Sequence, residues 1–336
     1  MRRIANRFVS AIFGALAFLS TPGITAQAAA PQPTPSTIAE KKSFDHAALA
    51  RTAIDNHIRP SYRALADAMA SLVAATDAYC ADPTPQARSA LENAFANGVR
   101  ARARIEHLRF GPMKARNRAD RFAYWPDRRG LGRRQVRRAL ARKKPGIDDP
   151  AKLAGMSVAL QGLTALEVVL HAKVAREGPS GRLTPLACTY ARAIAGNLSA
   201  MAVAVRDAWE DKSGIAAQLV RPGPDQPIWR AADEVTLELM QTYVMGMAAV
   251  RDMKIERPLG GEEGARGVLA EYRTSELGRA ALRSALEGLH EFYAKGGFRD
   301  ALGQHHPARQ RQTDGGFAAA FRELDQLSQP ISRAVD

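Results

Sequence analysis

Glu167 and His171 stand four residues apart in MSVALQGLTALEVVLHAKV, residues 156–174. At that spacing they share one face of a helix. A carboxylate oxygen beside an imidazole nitrogen suits zinc, iron or manganese. Thr164 precedes Glu167 by three residues on the same face, where its hydroxyl could orient Glu167 or a bound water. Two donors do not complete a metal site, which commonly takes three or more protein ligands. The spacing also fits a plain structural helix, with Glu167 paired to an arginine and His171 favoured by the dipole at the helix C-terminus.

Further donors would have to come from elsewhere. Glu106 and His107 in RIEHLRFGP, and Asp127 in the WPD that follows, are the candidates. Arg109 lies three residues beyond Glu106 and could pair with it, or with Glu167 if no metal is held. His46, His57, His290, His305 and His306 lack ligand spacing. There is no His-Glu-x-x-His, Gly-x-Ser-x-Gly, phosphate loop or dinucleotide fingerprint, so the commonest zinc peptidase, serine hydrolase and nucleotide-binding classes find no motif here.

The charge is concentrated. The 336 residues carry a net +14. Arg100 to Lys144 alone holds seventeen Lys or Arg against Glu106, Asp120 and Asp127, an excess of fourteen. No series of base-stacking aromatics accompanies these arginines, and an exported chain would not meet nucleic acid. An acidic protein partner, an anionic ligand or an anionic membrane surface fits the segment, as does a plain solvated face.

Export is expected from the first residues. MRRIANR is basic, FVSAIFGALAFLS is a short apolar run, and Ala26-Gln27-Ala28 is a small-x-small cleavage site. Residues 1–28 therefore read as a cleaved signal peptide and 29–42 as a Pro-rich mobile linker, with the mature protein in the periplasm. Cys80 and Cys188 are the only cysteines. In an oxidising compartment such a pair forms one disulfide.

The positioning elements read as helices throughout. Alanine and leucine recur at helical spacing, and alternating strand patterns are absent. Helices are expected at about 45–58, 60–80, 85–110, 132–143, 149–176, 183–210, 226–253, 264–295 with a break near Thr274-Ser275, and 314–332. Residues 111–132 and 210–227 are expected to be irregular. The fold class is all α, with one helical half over 43–210 and another over 222–336.

The order of these segments resembles the imelysin-like proteins. Gly162-Leu163-Thr164-Ala165-Leu166-Glu167 is similar to that family's Gly-x-His-x-x-Glu helix. RFGPMKARNRADRFAYWPDRRG resembles its Arg-x-Gly-Pro and Trp-Pro-Asp stretch, CTYARAIAGNLSAMAVAVRDAW the next helix, and VRDMKIERPLGG with AEYRTSELGRAAL its second half. The resemblance implies two bundle-like helical halves and an exported bacterial protein, often iron-regulated and found with iron uptake. The founding member was described as a metallopeptidase, while others look like metal-binding components. This chain departs at the centre. Thr164 occupies the histidine position, Glu167 matches the glutamate, and His171 lies one turn further on.

Three functions follow. The favoured one is a periplasmic component of iron or other metal acquisition that binds a metal or docks a partner without proteolysis. The second is a zinc-type metallopeptidase with Glu167 as ligand or base. The third is an interaction module whose basic segment 100–144 docks an acidic periplasmic redox protein. The metal set would be Glu167 and His171, with Glu106, His107 and Asp127 added, and Thr164 and Arg109 behind them. The metal would be divalent iron or zinc, if one is held at all.

Overall fold

The computed structural model describes residues 44–127, 129–260, 266–327 and 329–334. The signal peptide and linker expected over 1–42 lie outside the described residues. No described helix is long and apolar enough to cross a membrane.

Helix α1 (His46–Ala53) passes through a π turn at Ile54–Ile58 into α2 (Arg59–Ala81). Asp82 ends α2, and Thr84 caps α3 (Pro85–Arg104) by accepting from the Ala87 amide. Next come α4 (Arg118–Phe122), α5 (Leu131–Ala141), α6 (Pro150–Ala154), α7 (Gly162–His171) and α8 (Pro185–Glu210). A two-residue antiparallel pairing, β1 (Arg176–Glu177) with β2 (Arg182–Leu183), joins α7 to α8. The chain continues through α9 (Ile215–Val220), α10 (Ala232–Ala249), a second π turn at Val250–Glu256, α11 (Arg257–Leu259), α12 (Gly278–Lys295), α13 (Phe298–His305), α14 (Pro307–Asp325) and α15 (Ile331–Ala334). The all-α expectation holds.

Helices α2 and α8 run antiparallel as the central pair. Arg59 at the start of α2 donates to the Trp209 carbonyl near the end of α8. At the opposite end Cys80 and Cys188 are bridged, with Cα atoms 5.6 Å apart. The expected disulfide is formed. Helix α3 packs between α2 and α12, and its contact with α12 is unusually close. A Cβ at Gly288 would stand 1.8 Å from the Arg104 carbonyl, so only glycine permits that approach. One continuous set of buried side chains, including Tyr62, Phe95, Leu163, Tyr190, Leu239, Phe292 and Phe317, runs through the helices on both sides of the 210–227 connector.

Several helix limits differ from expectation. The 149–176 helix is broken between α6 and α7, because Gly162 has φ +84 and a helix cannot pass through that conformation. A Cβ there would lie 2.4 Å from the Arg121 carbonyl, so the backbones of α7 and α4 meet where a side chain would not fit. The 85–110 helix stops at Arg104. The 226–253 helix begins only at Ala232, and the expected connector 210–227 contains α9. The 264–295 helix starts at Gly278, because positive φ at Tyr272 and Glu276 keeps the preceding loop non-helical. The 314–332 helix is replaced by α14 and the short α15, with α14 starting earlier, at Pro307, where the missing amide costs nothing.

Candidate functional site

Helix α7 places Thr164 and Glu167 on the wall of a cleft of about 370 Å³. The opposite walls are Tyr124 to Arg133 and the segment Val268 to Arg273. Glu167 is buried, with 5 % of its surface exposed. One of its oxygens, Oε1, accepts from the Thr274 amide at 3.0 Å, the Ser275 amide at 2.9 Å and the Ser275 hydroxyl at 2.8 Å. Burial raises its pKa above the usual carboxylate range, against the pull of these donors and of Arg133. Thr164 Oγ1 accepts from the Tyr124 amide at 3.1 Å, which fixes the start of the Trp125-Pro126 segment. The glutamate thus anchors one wall and the threonine the other.

Of the remaining candidates only Asp127 shares the cleft with Glu167, while Glu106 and His107 line a different cavity. His171 is half-buried and does not line the cleft. Burial lowers its pKa and the nearby Arg176 adds to the effect. Asp127 caps α5, accepting from the amides of Leu131 at 2.7 Å and Gly132 at 2.9 Å. Arg109 pairs with Asp120 at 3.2 Å, and therefore with neither Glu106 nor Glu167 as expected. Glu106 instead contacts Lys254 at 3.0 Å, and Lys254 also binds Glu271. This triad, buried at Lys254 and Glu271 and half-buried at Glu106, lines a second cavity of about 490 Å³ bordered by Trp125, whose ring lies 5.3 Å from the Lys254 ammonium. Burial pushes Glu106 upward. Burial alone would lower Lys254, but Glu106 and Glu271 together hold it above its ordinary value and keep it charged. His107 is buried against His57, and neither of its ring nitrogens has a hydrogen-bond partner.

The five candidate metal donors therefore do not converge. Among the described residues, no group of three or more His, Cys, Asp or Glu side chains is arranged to hold a metal ion. The residues present do not fit a shared bare cation.

The imelysin family model matches residues 58–336. The chain belongs to the imelysin family. Two solved structures share the fold. An imelysin-like protein from Psychrobacter arcticum 273-4 superposes with a TM-score of 0.69 at 20 % identity, covering 86 % of each chain. A protein described as an iron-regulated protein A precursor from Parabacteroides distasonis ATCC 8503 superposes with a TM-score of 0.64 at 12 % identity, covering 89 % of this chain and 97 % of its own. Among curated proteins no match is found.

Within this imelysin chain, the partners that sequence reasoning missed are long-range. Thr274 and Ser275 lie more than a hundred residues from Glu167. Their signal was a polar break in an otherwise helical pattern, at a position that named no partner. Arg133 and Arg273 were also missed as site residues. Arg133 belongs to the basic segment, while Arg273 lies far outside it in sequence and joins it in lining the cleft.

Proposed function

We propose that this chain is an exported, non-peptidase component associated with the acquisition of iron or another metal, and that its working site is the cleft beneath Thr164 and Glu167. The observation that carries this reading is the state of Glu167. A peptidase would need that carboxylate as a ligand or base, yet one of its oxygens already accepts three hydrogen bonds from the Thr274–Ser275 loop. Thr164, where the family pattern has histidine, is in turn occupied with the Tyr124 amide. Support for the metal association comes from family membership and from the iron-regulated name of one structural neighbour.

A second reading is favoured by one surface. Arg134, Arg137, Arg138, Arg142, Lys143 and Lys144 are all exposed along and after α5, and none forms a salt bridge among the described residues. Such a face suits an acidic periplasmic protein or an anionic membrane surface.

Two measurements test the proposal. Casein or insulin should survive incubation with the purified protein, and robust chelator-sensitive cleavage would overturn the non-peptidase half. A strain lacking the gene should grow poorly under metal limitation and recover when it is restored. Normal growth under limitation of iron, zinc and manganese would overturn the metal association.

A further inference from the structure

We infer that the cleft beside Glu167 binds a small oxyanion, a carboxylate or phosphate group, between the guanidinium groups of Arg133 and Arg273. The location rests on the reading of this cleft as the working site, while the ligand class rests on its charges. Both arginines line the 370 Å³ cleft and also the open cavity of about 560 Å³ that adjoins it. A volume of several hundred Å³ is the scale of small-molecule sites.

Glu167 and Asp127 lie close enough to Arg133 to offset part of the cost of its burial, but neither forms a salt bridge with it. Asp127 accepts from backbone amides at the start of α5, and Glu167 accepts from Thr274 and Ser275. Arg133 donates to the Thr274 hydroxyl at 2.7 Å, a neutral acceptor. Arg273 has no hydrogen bond or ion pair to any described residue. Each arginine is half-buried. Burial lowers the pKa of Arg133, and Arg273 is the next cause, so the two cations repel across the cleft.

The fold places Arg273 there deliberately. Its loop is bracketed by positive φ at Tyr272, +45, and Glu276, +59, conformations that cost free energy in residues other than glycine. Glu167 holds that loop in place through three hydrogen bonds. Two guanidiniums without a salt-bridge partner in a concave site present the planar forks that suit carboxylate and phosphate oxygens, and they disfavour a bare cation.

The test is calorimetric titration of the mature protein at low ionic strength and neutral pH, with inorganic phosphate in one arm and citrate in the other. At least one should bind, and raised salt should weaken it. Phosphate alone would assign a phosphate ligand, citrate alone a polycarboxylate. R273Q should weaken binding roughly tenfold or more, the usual cost of a lost charge-assisted contact. The same variant should leave the ligand-free Tm unchanged or raise it, because it relieves repulsion. R192Q, at a surface pair with Asp77, should bind as the wild type does. Three results would overturn the inference: no binding of either anion at millimolar concentration, unchanged binding in R273Q, or a lowered Tm in R273Q. None of these depends on the growth phenotype or on peptide cleavage, so the anion site and the wider function fail separately.

Discussion

The imidazoles of His57 and His107 face each other with ring centroids 5.3 Å apart, and both rings rest on Phe292 at the same distance. They come from different elements, His57 from the π turn after α1 and His107 from the turn after α3. His57 Nε2 and both nitrogens of His107 lack hydrogen-bond partners. Such a pair is stable only while both rings are neutral.

Stability should therefore fall as the medium is acidified. Burial lowers His57 to about 4, with Glu291 opposing and Arg104 and Lys295 adding to the shift. His107 is lowered by burial, then by His57 and Arg102. The unfolded chain takes up protons near pH 6.5 and the folded one does not, so the contribution is complete above pH 6.5 and is lost as pH falls through about 4. For His57 alone the loss is about 3 kcal/mol. Denaturant unfolding of wild type and H57L between pH 8 and 4.5 should show a shallower acid limb in the variant. Parallel limbs would mean that other groups set the acid response.

Glu167→Gln and Glu167→Ala should behave differently. The three donors all meet one oxygen, and an amide oxygen can accept them in its place. Glu167→Gln should change stability by less than about 1 kcal/mol, whereas Glu167→Ala leaves part-buried donors without their acceptor and should cost about 1–3 kcal/mol. Equal losses in the two variants would show that the negative charge itself is what the fold requires.

Gly162→Ala should be severe. The position combines φ +84 with a Cβ that would sit 2.4 Å from the Arg121 carbonyl. A loss of about 3 kcal/mol is expected from backbone strain plus the displacement of α4. A variant with wild-type Tm would mean that this contact yields easily.

The Cys80–Cys188 bridge closes a loop across 108 positions. Chain entropy assigns about 4–5 kcal/mol to a loop of that length. Thiol titration of the unfolded, unreduced protein should find none, and C80S/C188S should unfold at markedly lower denaturant. An unchanged midpoint would place the stabilisation elsewhere.

Much of this arrangement was legible in sequence. The disulfide followed from two cysteines behind a segment that reads as an export signal, and the α-only class from helical periodicity without alternation. The Thr164–Glu167 face was visible because α7 obeys a 3.6-residue repeat. Its partners were not, because hydrogen bonds to Thr274 and Ser275 leave no mark in local spacing. The break before α7 was hidden for a similar reason. Alanine and leucine carry the helical pattern across Gly155 to Gln161, and only close approach to α4 dictates the backbone at Gly162. The Glu106–Arg109 pairing failed because Ile105 ends α3, so the two residues are no longer one helical turn apart.

The disulfide also divides the cleft by topology. Thr164, Glu167 and Arg133 lie inside the covalent ring closed by Cys80 and Cys188, while Arg273, Thr274 and Ser275 belong to the open tail beyond it. One wall is thus part of a macrocycle and the other is tethered to it only by non-covalent contacts near the site. Partial unfolding of the tail would disassemble the cleft while the macrocycle keeps its own helices together. The two guanidiniums that repel across the cleft sit on opposite sides of that boundary, and an anion between them would act as a clasp joining ring to tail.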